Sequence, residues 1–193
     1  LALKPAGISH EDAAAATLAA LTAWQALVHK ANVGEGDKVL ILGASGGVGH
    51  YAVQIAKHFG AYVIGSSSAP NRDFVLKMGA DEHIDYKSER FEERVTDADI
   101  VLDGVGGESS YRALEATKEG GHVITLVGKA TDLPDKAAQQ NKKGDINLVT
   151  PSAKDMQQIA ALMEEGAVVS HIFQSYPYSK MGEAHRQVET LHT

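Results

Sequence analysis

Short apolar runs rich in valine, leucine and isoleucine recur along this chain and alternate with longer amphipathic stretches. The apolar runs predict strands at residues 39–42, 61–65, 82–84, 100–103, 123–127 and 146–149. The stretches between them predict helices at residues 47–59, 71–78, 89–95, 107–117 and 152–165. Strands that are apolar on both faces are typical of a parallel sheet covered on both sides. The alternation therefore predicts an α/β fold, a doubly wound parallel sheet in a three-layer αβα arrangement.

The two ends of the chain fit this alternation less well. An alanine-rich helix, capped by Ser9, is predicted to run to about residue 30 before the first strand. After residue 166, a few apolar residues lead into a helix-like tail that starts near residue 179. We expect one domain over residues 1–193. Residues 1–30 would form its entering helix and linker, and residues 166–193 a return segment toward a part of the protein outside this chain.

Composition narrows the classes of function. The net charge is −7 and the longest basic run is a lysine pair, so no nucleic-acid partner is expected. No apolar stretch is long enough to cross a bilayer, so no membrane partner is expected either. The chain has no cysteine, which excludes disulfides and cysteine-ligated zinc from it and predicts a cytoplasmic protein. Because it begins with leucine, we expect it to be a processed or excised piece.

The turn after the first predicted strand carries the strongest chemical signal. It reads Gly43-Ala44-Ser45-Gly46-Gly47-Val48-Gly49 and opens directly into a predicted helix. Glycine lets the backbone approach a phosphate closely, and the N–H groups of the first helical turn then face its negative charge. The spacing is not the strict G-x-G-x-x-G, so the turn also fits a helix that merely packs close to a strand.

The end of the second predicted strand indicates which dinucleotide is bound. Ser66 and Ser67 close the strand, Asn71 and Arg72 follow, and no carboxylate appears before Asp73. A carboxylate at this place binds the ribose 2′-hydroxyl of NAD, whereas hydroxyl, amide and guanidinium donors suit a 2′-phosphate. The pattern therefore predicts NADPH as the cofactor. A serine-rich loop that only caps the next helix is the alternative.

Four ordered motifs together resemble the medium-chain dehydrogenase/reductase superfamily, and within it the zinc-independent quinone oxidoreductase, or zeta-crystallin-like, branch. They are the glycine turn, Ala52-x-Gln54-x-Ala56-Lys57-x-x-Gly60-Ala61, Met78-Gly79-Ala80-Asp81-x-x-Ile84-Asp85-Tyr86, and Leu102-Asp103-x-Val105-Gly106-Gly107. The resemblance covers nearly the whole chain. It implies the Rossmann-fold nucleotide-binding domain of an enzyme that transfers hydride from NADPH to a quinone or a conjugated enone or aldehyde. It also implies an N-terminal catalytic domain outside this chain, with the active site in the cleft between the two.

The resemblance assigns cofactor contacts by position. The pyrophosphate is expected on Ser45, Gly46, Gly47 and Val48, and the 2′-phosphate on Ser66, Ser67 and Asn71. Some relatives carry lysine at the position of Asn71, and Arg72 is expected to compensate. The remaining expected contacts are Tyr86 near the adenosine phosphate, Thr22 near the cofactor, and Val105, Leu126, Val127 and Gly128 on the nicotinamide side.

Other chemistry is weaker in this sequence. Its nine histidines are scattered and predict no metal site, and residues 17–19 lack the cysteine that zinc-dependent relatives carry there. Tyr176 and Lys180 have the spacing of the short-chain dehydrogenase pair, but Pro177 opposes the continuous helix that the pair needs. Asp103 is expected to cap the following helix rather than touch the cofactor. No acid or nucleophile stands out, so no catalytic residue is predicted.

Alternative functions stay open at this point. One is a nucleotide-binding module without catalytic activity of its own, and another is a relative of the zinc-type alcohol dehydrogenases. A methyltransferase is disfavoured because its fold needs an acidic residue at the end of the second strand. The expected partners are a small-molecule substrate and a second copy of the chain, since the predicted edge strand at 146–149 favours a homodimer.

Overall fold

The computed structural model describes residues 2–190 of the chain. Within them, six parallel strands form one sheet in the order β3-β2-β1-β4-β5-β6. The strands are β1 (Lys38–Leu42), β2 (Tyr62–Ser67), β3 (Glu82–Asp85), β4 (Ala98–Asp103), β5 (Thr117–Thr125) and β6 (Lys143–Ile146). This is the strand order of the doubly wound dinucleotide-binding sheet, so the predicted fold class is confirmed.

Helices cover both faces of the sheet. They are α1 (His10–Trp24), α2 (Gly49–His58), α3 (Arg72–Lys77), α4 (Phe91–Arg94), α5 (Glu108–Ala116), α6 (Leu133–Ala138), α7 (Ala153–Glu164) and α8 (Met181–Glu189). A π-helical turn, Gln25–Lys30, continues α1. The longest of these helices, α1, has 15 residues, and no helix within 2–190 has the length and apolar character needed to cross a membrane.

Alternate residues of the strands belong to two separate hydrophobic clusters, which explains why the strands read as continuous apolar runs. In β1, Val39 and Ile41 pack in the cluster that contains α1, α2 and α7. Leu40 and Leu42 pack in the cluster that contains α5 and α6. Both faces of the sheet are therefore buried, as a parallel sheet requires.

The first helix begins where the sequence predicts. The side chain of Ser9 accepts a hydrogen bond from the backbone N–H of Asp12 at 2.9 Å, which satisfies one of the N–H groups at the start of the helix. The helix was expected to run to about residue 30, and it does so with a change to π-helical hydrogen bonding after Trp24.

The last strand lies at residues 143–146 and not at 146–149 as the apolar run predicts. Beyond it, the amide of Asn147 donates to the carbonyl of Thr22 in α1, and the side chain of Gln25 bonds both backbone groups of Thr150. These hydrogen bonds draw the chain toward α1 and away from the sheet edge. The predicted edge strand is therefore wrong in position, and a homodimer through this edge stays a prediction.

Two other elements differ from the sequence analysis. Residues 133–138 form α6, although the sequence there reads as a polar connection; Leu133 and Ala137, one turn apart, are both fully buried. Strand β5 ends at Thr125, so the predicted strand at 123–127 ends two residues too late. The pairing of β5 with β4 also contains a register shift between Ala98 and Ile100.

The return segment after Gly166 crosses over α2 before the chain reaches α8. The side-chain amide of Gln54 donates to the carbonyl of Val169 at 3.0 Å and accepts from its N–H at 2.8 Å. The hydroxyl of Tyr51 donates to Ser170, which in turn donates to the carbonyl of Asp12. These contacts bring residues 169–173 to one side of the sheet's carboxyl ends. Residues 191–193 of the predicted segment lie outside the described part of the chain.

Candidate functional site

A cleft of about 950 Å³ opens at the carboxyl ends of the central strands. It lies where β1 is flanked by β2 on one side and β4 on the other, the place where the strand order reverses. Ligands of open α/β sheets bind at this switch point. Its lining includes seven of the predicted site residues: Ser45, Gly46, Ser66, Ser67, Asn71, Tyr86 and Val105.

Two glycines shape the turn between β1 and α2. Gly43 has a φ of 79°, a conformation that residues with a side chain rarely adopt. At Gly49, the first residue of α2, an added Cβ would lie 2.1 Å from the carbonyl oxygen of Gly43. Only glycine at this position lets α2 start so close to the strand. The helix thereby starts three residues after Gly46, which lines the cleft, and the dipole of a helix favours an anion near its N-terminus.

Asn71 joins the two halves of the predicted phosphate site. Its side-chain amide donates to the hydroxyl of Ser45 at 3.0 Å and to that of Ser68 at 3.4 Å. Although Asn71 stands at the start of α3, its side chain makes no capping hydrogen bond there. This geometry does not support the alternative in which Asn71 only caps the helix.

Ser66 and Ser67 are both buried at the end of β2 and line the cleft. The backbone carbonyl of Ser66 accepts from the N–H groups of Gly43 and Ala44, which fixes the glycine turn to β2. The hydroxyl of Ser67 lies 2.8 Å from Nε2 of His83 on β3. His83 is a neighbour that the sequence analysis did not associate with this site.

The charged groups near the end of β2 include both positive and negative side chains. Arg72 is 62% exposed, and its guanidinium lies 3.6 Å from the carboxylate of the also exposed Asp73. Lys87 and Glu89 line the cleft, and Glu89 forms an ion pair with Arg94. Burial lowers the pKa of His83, and the nearby positive charge of Arg72 lowers it further.

His50 connects the glycine turn to the return segment. Its Nδ1 lies 3.0 Å from the carbonyl oxygen of Gly46, and its Nε2 accepts from the backbone N–H of His171 at 3.3 Å. A neutral ring with its proton on Nδ1 satisfies both contacts. Burial lowers the pKa of His50, which favours this neutral form.

The opposite end of the cleft is formed by the loop after β4. Val105 lines it and is 60% exposed. The fully buried carboxylate of Asp103 accepts from the N–H of Val105 at 2.9 Å and from that of Gly106 at 3.1 Å. It also accepts from the hydroxyl of Ser109 in α5. Asp103 therefore organises this loop, but it does not cap α5 as predicted, because the residue at the N-cap is Gly107 and no side chain makes a capping hydrogen bond there.

The other predicted contacts are not part of the cleft lining, and their roles stay predictions. They are Thr22, Gly47, Val48, Arg72, Leu126, Val127 and Gly128. Thr22 is buried in α1, where its hydroxyl donates to the carbonyl of Leu18 at 2.8 Å. Val127 packs against Gly106, where an added Cβ would lie 2.5 Å from it.

The structure adds lining residues that the sequence analysis missed: Ser68, Phe74, Lys87, Ser109, Arg112, His171 and Phe173. Ser68 belongs to the same serine run as Ser66, so a broader interpretation of that run would have included it. His171 and Phe173 arrive from the return segment, and nothing in their local sequence signals this position.

Neither a metal cluster nor a tyrosine–lysine pair is assembled in the described residues. Within 2–190, no three histidine, aspartate or glutamate side chains come together as a metal site. Tyr176 lies outside any helix and donates to Gln174, while Lys180 contacts Glu183. The short-chain dehydrogenase arrangement, which the sequence disfavours because of Pro177, is therefore not formed.

Comparison with known proteins relates this architecture to reductases. The chain is 36% identical over 194 residues to 2-methylene-furan-3-one reductase of Solanum lycopersicum, covering 98% of this chain and 47% of that protein. The quinone oxidoreductase structure from Coxiella burnetii matches with a TM-score of 0.93 and 32% identity, over 98% of this chain and 60% of that one. The Escherichia coli quinone oxidoreductase, solved in complex with NADPH, matches with a TM-score of 0.82 and 25% identity, over 100% and 65%. The chain thus spans between about half and two thirds of these proteins.

A family model places the chain directly. The model described as "Zinc-binding dehydrogenase" matches residues 78–193, which is more than half of the sequence. The quinone and enone reductases among the relatives agree with the resemblance carried by the four motifs. The chain belongs to the zinc-binding dehydrogenase family, within the medium-chain dehydrogenase/reductase superfamily.

Proposed function

We propose that this chain binds NADPH in the cleft, and that the protein to which it belongs transfers hydride from NADPH to a quinone or a conjugated carbonyl compound. The assignment of NADPH rests on the end of β2. There, Ser66 and Ser67 are followed by Asn71 and Arg72, with no carboxylate between them. Serine and amide donors beside a guanidinium favour a 2′-phosphate, and a carboxylate among them would repel it.

The pyrophosphate would lie on the first turn of α2, beside the loop that holds the 2′-phosphate. The amide of Asn71 spans from the Ser45 hydroxyl to the Ser68 hydroxyl, so the two phosphate regions are linked by one side chain. NADPH would supply the hydride, and the residues of this chain bind and orient the cofactor.

The substrate class rests on the relatives. The tomato relative is named as a reductase of a conjugated ketone, and the two structural neighbours are quinone oxidoreductases. Val105 and Phe173 give the cleft exposed apolar surface beside its polar end. We further propose that the part of those relatives outside the present alignment corresponds to a catalytic domain that completes the substrate site. The expected cytoplasmic location stays a prediction, since several relatives are named as mitochondrial and one as chloroplastic.

We propose that the reaction is independent of zinc, although the family model is described as a zinc-binding dehydrogenase. The sequence has no cysteine, and the described residues bring together no set of three other ligands, so this chain does not fit the role of zinc carrier.

The cofactor assignment is tested by titrating this chain with NADPH and NADH and measuring both dissociation constants by calorimetry. We expect tighter binding of NADPH, and we expect Arg72→Ala or Asn71→Ala to weaken it about 10-fold, since each removes a donor to a charged phosphate. NADH binding should change little. Arg186→Ala, on α8 away from the cleft, is the matched control. Equal affinities that neither variant alters would contradict the 2′-phosphate site.

The reaction is tested on the whole protein by following NADPH absorbance in the presence of a quinone or an enone. Consumption of NADPH with either class supports the proposal. Tight NADPH binding without turnover on any member of both classes would favour the alternative of a nucleotide-binding module without activity of its own.

A further inference from the structure

The contact between Ser67 and His83 lies directly behind the proposed 2′-phosphate site. Ser67 lines the cleft at the end of β2, and His83 stands on the neighbouring strand β3. In the parallel register His83 is opposite Gly65, two residues before Ser67. Because alternate residues share a face, the imidazole reaches Ser67 diagonally, with Nε2 at 2.8 Å from the hydroxyl oxygen. His83 is thus one side chain removed from the cleft.

The protonation state of His83 decides what the Ser67 hydroxyl can do. A neutral ring with its proton on Nδ1 accepts the hydroxyl proton at Nε2, which turns that proton away from the cleft. A protonated ring carries hydrogens on both nitrogens, so Nε2 donates to the serine oxygen. The hydroxyl proton is then released for another acceptor. The carbonyl of Ser68, 3.3 Å from the Ser67 oxygen, is such an acceptor in the present structure.

Charged groups of both signs surround His83, so an added anion would shift the protonation equilibrium of its ring. Arg72, from α3, places positive charge near the ring, while Asp85 on its own strand and Glu89 after it place negative charge. Burial and Arg72 together lower the pKa of His83. A phosphate dianion bound between Arg72 and Ser67 would offset the effect of the guanidinium and favour the protonated ring.

We propose that His83 takes up a proton when NADPH binds, but not when NADH binds, and that this proton uptake turns Ser67 into a hydrogen-bond donor to the 2′-phosphate. His83 acts as a positioning residue through Ser67 and contributes to the preference for NADPH. The inference rests on the proposed NADPH site and adds a pH-dependent component to its specificity. Because the imidazole protonates more readily at lower pH, the preference for NADPH over NADH should increase as the pH falls.

The direct test measures how many protons the protein takes up when the cofactor binds. The chain, as wild type and as His83→Gln, is titrated with NADPH and with NADH by calorimetry at pH 7 in two buffers of different ionisation enthalpy. The difference in apparent enthalpy between buffers gives the number of protons taken up. The 2′-phosphate has its own ionisation near pH 6, and the titration of His83→Gln measures that contribution without the imidazole. His185→Gln, an exposed histidine on α8, is the matched control.

We expect the wild type and the His185→Gln protein to take up more protons with NADPH than His83→Gln does, and no such difference with NADH. The ratio of the NADH to the NADPH dissociation constant should be about 3- to 10-fold larger in the wild type than in His83→Gln at pH 6, with the gap narrowing by pH 8. NADH affinity of the variant close to that of the wild type shows that the cleft is intact.

Two different results would contradict the role proposed for His83, and only one of them would also contradict the proposed cofactor. NADPH binding with equal proton uptake by wild type and His83→Gln would overturn this inference and leave the proposed cofactor standing. Failure of the wild type to bind NADPH in preference to NADH would overturn the proposed cofactor and this inference with it. His83→Asn, a second neutral variant, guards against a misfolded glutamine variant.

Discussion

Gly47 and Gly49 stand two positions apart in the turn before α2 but have different surroundings. A Cβ at position 49 would lie 2.1 Å from the carbonyl oxygen of Gly43, whereas a Cβ at position 47 would meet nothing within 4 Å. Gly49 is therefore required by the packing of the helix against the strand. Gly47 leaves open space at the first turn, where the phosphates are proposed to bind.

Alanine substitutions separate these two requirements. We expect Gly49→Ala to lower the free energy of unfolding by about 2 kcal/mol or more, because the backbone of the turn has to move to admit the methyl group. Gly47→Ala should change stability by about 1 kcal/mol at most, yet weaken NADPH binding by crowding the phosphates. Urea unfolding and NADPH titration of both proteins provide the measurements. Equal stability of the two variants would contradict the packing argument, and unchanged affinity in Gly47→Ala would place the phosphates elsewhere.

At the residue scale, local sequence identified much of the cleft. The glycine turn and the serine run each lie within a few consecutive residues, so their spacing predicts their placement beside each other. The contacts of His50 with His171, and of Ser67 with His83, join residues far apart in the chain. Those pairs depend on strand register and on the path of the return segment, neither of which is visible in a local motif.

At the scale of elements, two glutamines hold extended segments against helices. Gln54 in α2 bonds the N–H and the carbonyl of Val169, and Gln25 after α1 bonds the N–H and the carbonyl of Thr150. In both cases one side-chain amide satisfies both groups of a passing backbone, as a neighbouring strand would. These contacts, together with the hydrogen bonds of Ser170 and Asn147, hold the return segment and the chain after β6 in place.

Gln54→Ala should loosen the return segment without unfolding the sheet. It removes the two hydrogen bonds that the buried Gln54 makes with the partly exposed Val169, which costs about 1–2 kcal/mol of local stability. We expect faster amide hydrogen exchange at residues 167–173 and little change in β1 or β4, as measured by mass spectrometry. The exposed Gln157 in α7 offers the control Gln157→Ala. Protection of residues 167–173 equal to that in the wild type would show that other contacts hold the segment.

The elements most strongly marked in the sequence are the buried strands and the helices with clear caps. Ser9 and Ser152 each precede a helix and accept a hydrogen bond from the third residue after them. Element α6 is short, and only Leu133 and Ala137 face the core, so its periodicity is too brief to distinguish it from a loop. The position of β6 depends on tertiary hydrogen bonds to α1, which a pattern of apolar residues cannot show.

At the scale of the whole molecule, an ion pair between a buried carboxylate and a partly exposed guanidinium joins α4 to α5. The carboxylate of Glu92, 2% exposed, accepts two hydrogen bonds from Arg112, at 2.7 and 2.6 Å. The hydrogen bonds from Arg112 lower the pKa of Glu92 from 4.5 to about 2, with a further contribution from Arg90. The guanidinium of Arg112 also lies 4.7 Å from the centre of the Phe91 ring.

This pair predicts a defined response of stability to acid. A carboxyl group whose pKa is lower in the folded state stabilises the fold above its unfolded-state pKa, and that contribution is lost as pH falls toward the folded-state value. We therefore expect part of the free energy of unfolding to decline between about pH 4.5 and pH 2. Chemical unfolding at a series of pH values measures the slope.

Glu92→Gln should be less stable than the wild type at pH 7 by about 1–2 kcal/mol, because the hydrogen bonds from the partly exposed Arg112 lose their charged acceptor. The variant should also show a shallower decline between pH 4.5 and pH 2, since the titrating group is gone. The exposed Glu164→Gln, at the end of α7, is the matched control. Parallel pH profiles for wild type and Glu92→Gln would contradict the assignment.

The glutamine contacts also determine which positions of this sequence tolerate substitution. Gln25 and Gln54 contact the two segments through main-chain atoms, which every residue except proline supplies in full, and Gln25 also donates to the carboxylate of Asp155. Glutamate would lose the donor, and asparagine would fall one methylene short. Exchanges in the two extended segments can therefore accumulate without disturbing these contacts, while the two helix positions cannot change independently of the fold. The two helix glutamines hold the backbone of these segments, and Ser170 and Asn147 add side-chain hydrogen bonds from the segments themselves.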